Sequence, residues 1–173
     1  MNKTSFLERL QNERDHFELL LNRVGFSRQL TMKGVVDGLS IKDLLADILL
    51  HEYYIADRLS EILHGETYSP STSHSAFDKF EEDFGYPDYE SPLYKKDAIR
   101  NSNNEKYNNI ALDEIVAEEL ALYSNITTSL HKLTNNQCLD HDLFHRVALF
   151  TYKPYRHVSL AITNWLKRIE SES

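Results

Sequence analysis

The chain has 173 residues, a net charge of -8 and a hydrophobic fraction of 41%, the composition of one globular domain spanning residues 1–173 rather than of a disordered tail. The negative balance speaks against nucleic acid and anionic membrane as partners, since both are bound by clustered Lys and Arg. The lone Cys138 excludes an intrachain disulfide and a cysteine-based zinc site. No stretch approaches the roughly 20 apolar residues of a membrane span, and the N-terminus lacks the apolar run of a signal peptide, so a cytoplasmic location is expected.

Helix one is predicted over about residues 4–24. Phe6, Leu7, Leu10, Phe17, Leu20, Leu21 and Val24 fall on one face, and Gly25 stops the run. After the loop "SRQLTMKGVVDG", helix two starts at a capping box, Ser40 with Asp43 three residues on. Its stripe is Ile41, Leu44, Leu45, Ile48, Ile55, Leu59, Ile62 and Leu63, and Gly65 closes it.

Residues 65–109 change character. They hold three of the four prolines and the rings of Phe77, Phe80, Phe84, Tyr86, Tyr89, Tyr94 and Tyr107. A structureless loop of that length is unusual in a compact domain, so the segment reads as an aromatic-rich crossover packed on the helices. A solvated linker is the plainer alternative.

Helix three follows over about residues 113–133, with Ile115, Val116, Tyr123, Ile126 and Leu130 on its stripe. "TNNQCLDHD" is a turn. Helix four begins near Asp142, meets Pro154, which disfavours helix at Lys153, and runs on to Ile169. Four long amphipathic helices without a strand pattern predict an all-α four-helix bundle.

The stretch "LLADILLHEYYI" carries Asp47, His51 and Glu52 among its leucines. At 100° per residue Glu52 falls inside the apolar stripe, between Ile48 and Ile55. His51 lies at its edge, and Asp47, four residues earlier, shares that flank. Glu119 likewise falls in mid-stripe on helix three, and Glu13 does so between Leu10 and Phe17 on helix one. Buried carboxylates must be protonated, paired, metal-bound or open to water. One reading is an internal salt-bridge network, for which Arg14, Arg156, Lys153 and His157 are available. Another is simple exposure.

A di-iron centre of the Glu-x-x-His kind has two matching tetrads, Glu13 to His16 and Glu61 to His64. Glu61 lies opposite the stripe, which leaves one inward motif where two are needed. Asp47, His51 and His157 form a candidate mononuclear set, two ligands at i, i+4 and a third from another helix. Such a set suits nickel, zinc, iron or manganese. An i, i+4 Asp/His pair is also a common surface ion pair.

Three stretches carry a family resemblance. "DGLSIKDLLADILLHEYYIADRLSEILHGE" is similar to the second-helix signature of the DinB-like superfamily. "NNEKYNNIALDEIVAEELALYSNITTSLHKLTNNQCLDHDLF" resembles its third helix and following turn. "FTYKPYRHVSLAITNWLKR" looks like the last helix of the DfsB/ClbS-type branch, with its Pro-Tyr followed by basic residues. The resemblance covers nearly the whole chain and implies an up-up-down-down four-helix bundle.

Many members of that superfamily bind a divalent metal through one histidine on helix two and two near the last helix, and some are thiol-dependent transferases. Members of the ClbS kind act as hydrolases protecting against a reactive genotoxin. Here Asp47 occupies the helix-two histidine position, His51 the usual tryptophan position, and only His157 stands near the expected pair.

The resemblance therefore implies a protein acting on a small reactive electrophile, as a hydrolase or in self-protection, with either no cofactor or one weakly held divalent metal. Asp47, Glu52 and His157 are the candidate catalytic residues. His51, Tyr155 and Glu119 are the candidate substrate-binding residues, and Asp47, His51 and His157 are the candidate metal ligands. The expected partner is a small molecule. A homodimer stays open, as do two alternatives: a non-catalytic binding bundle, and a metal-dependent thiol transferase with a degenerate site.

Overall fold

Asn2 starts the first helix by accepting a hydrogen bond from the Ser5 amide at 2.8 Å, satisfying one of the free donors of the first turn. From there α1 runs over Lys3–Val24. The computed structural model describes residues 2–25, 28–64, 107–138 and 143–172. Gly25 ends α1 with a φ of 83°, a backbone region that glycine enters without steric cost, and its amide bonds to the Leu21 carbonyl.

A single 3-10 turn, Arg28–Thr31, leads into a tight reversal at Val36-Asp37-Gly38-Leu39. Asp37 and Gly38 both have positive φ, 49° and 75°, the combination a type I′ turn requires. The Val35 amide bonds to the Leu39 carbonyl at 2.9 Å. This reversal delivers Ser40 to the start of α2, Ile41–His64.

The capping box there is formed on both sides. The Asp43 amide donates to Ser40 Oγ at 3.2 Å, and the Ser40 amide donates to Asp43 Oδ2 at 2.8 Å. Lys33 Nζ adds an ion pair to the same Asp43 oxygen. Burial alone would raise the Asp43 carboxyl, but Lys33 and the Ser40 donors outweigh it and hold it below the ordinary value.

The remaining helices are α3 (Leu112–Lys132), the single turn α4 (Asn135–Cys138), α5 (Leu143–Phe150) and α6 (Tyr152–Glu172). The stretch read as a plain turn contains α4. Thr134 and Gln137 cap it reciprocally, Gln137 N to Thr134 Oγ1 at 3.2 Å and Thr134 N to Gln137 Oε1 at 2.9 Å. The fourth predicted helix is divided at Thr151 rather than at Lys153. In an unbroken helix the Pro154 ring would strike the Phe150 carbonyl. The break puts Pro154 in the first turn of α6, where no backbone donor is needed. Thr151 Oγ1 meanwhile donates to the Val147 carbonyl at 2.6 Å.

The described residues are all-helical, with one isolated β-bridge. α2 lies at the centre, packed along α3 and touched by α5, α6 and the 3-10 turn, while α1 packs along α6. The core is built from Phe6, Leu10 and Phe17 of α1, Ile41, Ile48, Leu49 and Ile55 of α2, Ile115, Ile126 and Leu130 of α3, and Phe150, Val158, Ile162 and Trp165 from the C-terminal part. Each such side chain contributes about 1.5–3 kcal/mol through removal from water. Phe6 stacks on Phe144 at 4.8 Å and Phe17 on Tyr155 at 5.0 Å. No described helix is long and apolar enough to cross a membrane. The predicted crossover aromatics from Phe77 to Tyr94 lie outside the described residues, as does Asp142. Tyr107 is described and buried.

Candidate functional site

The candidate residues sort into two centres. Glu52, Glu119 and Tyr155 meet in the interior, and Asp47, His51 and His157 line a groove between α2 and α6. The candidate residues Asp47, His51, Glu52, Tyr155 and His157 are thus divided between two places. The division follows from helical phase. Glu52 faces the middle of the helical array, while His51, one residue earlier and 100° away, turns toward Phe150 of α5 and the groove.

The interior centre is organised by Arg14, which is 1% exposed. Its Nη2 donates to Glu119 Oε2 at 2.6 Å, its Nη1 donates to Glu119 Oε1, and its Nε donates to Glu18 Oε1 at 2.7 Å. The guanidinium lies over aromatic rings, 4.3 Å from the Tyr123 centroid and 5.2 Å from that of Tyr155. This is the geometry in which arginine is favoured over lysine, a planar fork on a carboxylate with its face against π systems. Burial alone would lower the Arg14 pKa; Glu119 overcomes it and keeps the cation charged.

Glu52 is 0% exposed. Tyr155 donates its hydroxyl to Glu52 Oε2 at 3.1 Å, and Oε1 meets no donor. Burial, then the charge of Glu119, push the Glu52 carboxyl well above the usual carboxylate range. Its surroundings therefore favour the protonated form, which has a proton to offer the Glu119 carboxylate. Burial and the nearby Glu52 raise Tyr155 as well, so it remains a hydroxyl donor.

Glu13, expected inside the stripe of helix one, is instead at its edge in an ion pair with Arg156 of α6. Its carboxyl is held below the ordinary value, chiefly by the hydrogen bond from Arg156. Glu13 and Arg14 flank the stripe on opposite sides, and the helices packed there decide their roles: α6 brings a cation to Glu13, α3 brings a carboxylate to Arg14. Sequence reasoning counted Arg14 only as an available cation. Its spacing, four after Leu10 and three before Phe17, mirrors that of Glu13, three after and four before, so periodicity alone does not tell which of the two lies inside. His16, the partner of Glu13 in the first Glu-x-x-His tetrad, is exposed, and Glu61 of the second pairs with Arg58.

The groove encloses about 260 Å³. Leu44, Ile48, Val158 and Ala161 give it apolar walls, and Asp37, Asp47, His51, His157 and Asn164 supply polar groups. His51 is 3% exposed. Its Nδ1 lies 2.8 Å from the Asp47 carbonyl oxygen. A carbonyl only accepts, so Nδ1 carries the hydrogen, and in the neutral ring Nε2 is the basic nitrogen. Asp47 thereby fixes the histidine tautomer through its backbone. His157 is exposed on α6.

Among the described residues no three His, Cys, Asp or Glu side chains gather closely enough to hold a metal ion. Asp47, His51 and His157 share a groove without forming a ligand set there, and the Nδ1 bond to a backbone carbonyl commits one His51 nitrogen elsewhere.

Compared with known protein families, with curated proteins and with solved structures, the chain matches none of them.

Proposed function

We propose that the chain is a DinB-like, DfsB/ClbS-type four-helix bundle that binds a small electrophile in the groove between α2 and α6 and hydrolyses it. In this reading α1, α2, α3 and the α5–α6 pair are the four members. The observation that carries the reading is the convergence of Asp47, His51 and His157, from two helices, on one groove of about 260 Å³. Support also comes from the resemblance of the three quoted stretches to that superfamily.

For a strained ring such as an epoxide the step is addition of water. His51 Nε2 is buried from bulk solvent, so the step uses a water admitted with the substrate: Nε2 takes a proton from it as its oxygen attacks ring carbon. The ring C–O bond breaks, and the departing oxygen takes a proton from the His157 imidazolium, giving a diol. Proton return from His51 to His157 through solvent closes the cycle. Asp47 acts by holding the His51 ring. Glu52, Glu119 and Tyr155 then serve as the rigid support behind α2 rather than as groups touching substrate.

The test is turnover of styrene oxide to its diol by the full chain. His51→Gln is expected to lower the rate by about 100-fold, the range of a lost general base, with helicity unchanged. Absence of turnover across a panel of epoxides, or turnover insensitive to His51→Gln, would sink the enzymatic reading. Saturable binding without turnover would support the second reading, a non-catalytic binding bundle. The closed Arg14–Glu119 pair favours a third reading instead, a bundle without ligand or chemistry whose interior polar residues only fix helix register.

A further inference from the structure

A separate cavity of about 200 Å³ opens between α1, the 3-10 turn, α2 and α3. Its walls are apolar: Leu21, Leu30, Leu45, Val116 and Leu120. Its polar edge is the Arg14, Glu18 and Glu119 system together with the uncharged Asn22. None of Asp47, His51 and His157 lines it, so it is distinct from the groove between α2 and α6. Pockets for drug-sized ligands run from about 300 to 1,000 Å³, so whatever fits here is smaller.

Charge decides the chemistry. Of the groups lining the cavity, Arg14 brings one positive charge and Glu18 and Glu119 one negative charge each. The local balance is one negative charge. Arg14 is already committed, with Nε on Glu18, both terminal nitrogens on Glu119, and its face over Tyr123 and Tyr155. Each carboxylate oxygen can accept more than one hydrogen bond, so the site wants donors and a positive charge. An added carboxylate would meet net repulsion. An alcohol brings a donor but no charge.

We propose that this cavity binds a small aliphatic ammonium ion, its charged head against Glu18 and Glu119 and its alkyl chain against Leu30, Leu45 and Val116. An ammonium head has three donors and no acceptor, which matches an edge made of carboxylate oxygens. Leu120, 49% exposed at the cavity, supplies an apolar surface for the end of the chain.

The test compares n-hexylammonium, hexanol and hexanoate on the full chain at pH 7, by calorimetry and by amide shifts in two-dimensional NMR. Hexylammonium should bind saturably, shift the amides of Leu45 and Val116, and bind at least about tenfold more tightly than hexanol. Hexanoate should not bind. Val116→Phe, which fills the cavity, should abolish binding with helicity retained. Glu18→Gln leaves the Arg14–Glu119 pair in place and should weaken hexylammonium about fivefold or more without unfolding the chain. The proposal is overturned if hexanol binds as tightly, if hexanoate is preferred, or if none of the three binds at millimolar concentration. It is also overturned if Val116→Phe binds like the parent chain, or if the shifts centre on His157 and Ala161. None of these outcomes bears on epoxide turnover at His51, which shares no residue with this cavity.

Discussion

Arg14 of α1 and Glu119 of α3 are joined by two parallel hydrogen bonds with both side chains buried, at 1% and 4% exposure. The two residues are 105 positions apart in sequence, so the pair ties α1 to α3 across the interior. Two charges taken out of water regain stability only through close geometry and full hydrogen bonding. The bidentate fork and the Nε bond to Glu18 supply both.

Removing one partner should therefore cost far more than removing both. Glu119→Ala leaves the Arg14 cation buried and is expected to lower unfolding free energy by about 3–5 kcal/mol. The double change Arg14→Met with Glu119→Leu should recover most of that loss, because no uncompensated charge remains. Urea denaturation of the parent chain and the two variants checks this. A double variant as unstable as Glu119→Ala would show that the pair is not the source of the effect.

Glu52 gives a pH signature with a definite sign. Its folded pKa is raised above the ordinary glutamate value, by burial and then by Glu119. Between the unfolded and the folded pKa, the folded state holds one proton more than the unfolded state. Stability is then fully present below the unfolded value and falls as pH rises toward the folded one, by about 1.4 kcal/mol per pH unit for one proton. Glu52→Gln offers an amide that can donate to Glu119 and accept from Tyr155, and it has no proton to lose. It should match the parent chain within about 1 kcal/mol near pH 4.5 and become the more stable of the two as pH rises. Equal pH slopes for the two proteins would show that Glu52 is ionised in the fold.

Helical periodicity was enough to place Glu52 and Glu119 inside, because each has apolar neighbours on both sides of its own helix face. It was not enough for Glu13 and Arg14. They sit on opposite edges of one stripe, and only the arrival of α6 on one side and α3 on the other separates them. The capping box at Ser40 was legible because its chemistry is local. The break at Thr151 was misplaced by two residues, since a proline constrains the carbonyl four positions back as well as the residue before it. Phase put Asp47 and His51 on one flank, and the family resemblance, not periodicity, added His157; the three line one groove. Separating them from Tyr155 was not legible, because neighbouring positions on α6 face different centres.

The start of α2 offers a test of local chemistry. Ser40→Ala removes the hydroxyl that takes the Asp43 amide and should cost about 1 kcal/mol. Asp43 has a lowered folded pKa, so its contribution is present above the unfolded aspartate value and is lost as pH falls through the folded one. Asp43→Asn should therefore narrow the stability gap from the parent chain in acid and widen it at neutral pH. A gap independent of pH in thermal melts would assign the effect to shape rather than charge.

His51 carries the last prediction, and it concerns one proton. The Asp47 carbonyl lies one helical turn before it, 2.8 Å from Nδ1. Since that oxygen can only accept, the neutral ring should exist as the Nδ1-protonated tautomer, the less common one in free histidine (which prefers its hydrogen on Nε2). Long-range proton–nitrogen correlation spectra of the full chain distinguish the two forms directly, and they should show a pyrrole-type Nδ1 and a pyridine-type Nε2 at pH values where the ring is neutral. The proposed step fixes the shape of the pH dependence of turnover. With His51 Nε2 as base and the His157 imidazolium as acid, turnover needs the first ring neutral and the second protonated, so activity should pass through a maximum as pH rises. Observation of the opposite tautomer would remove Asp47 from its orienting role. It would leave His51 able to donate from Nε2 to a bound ligand, but not to take a proton from water.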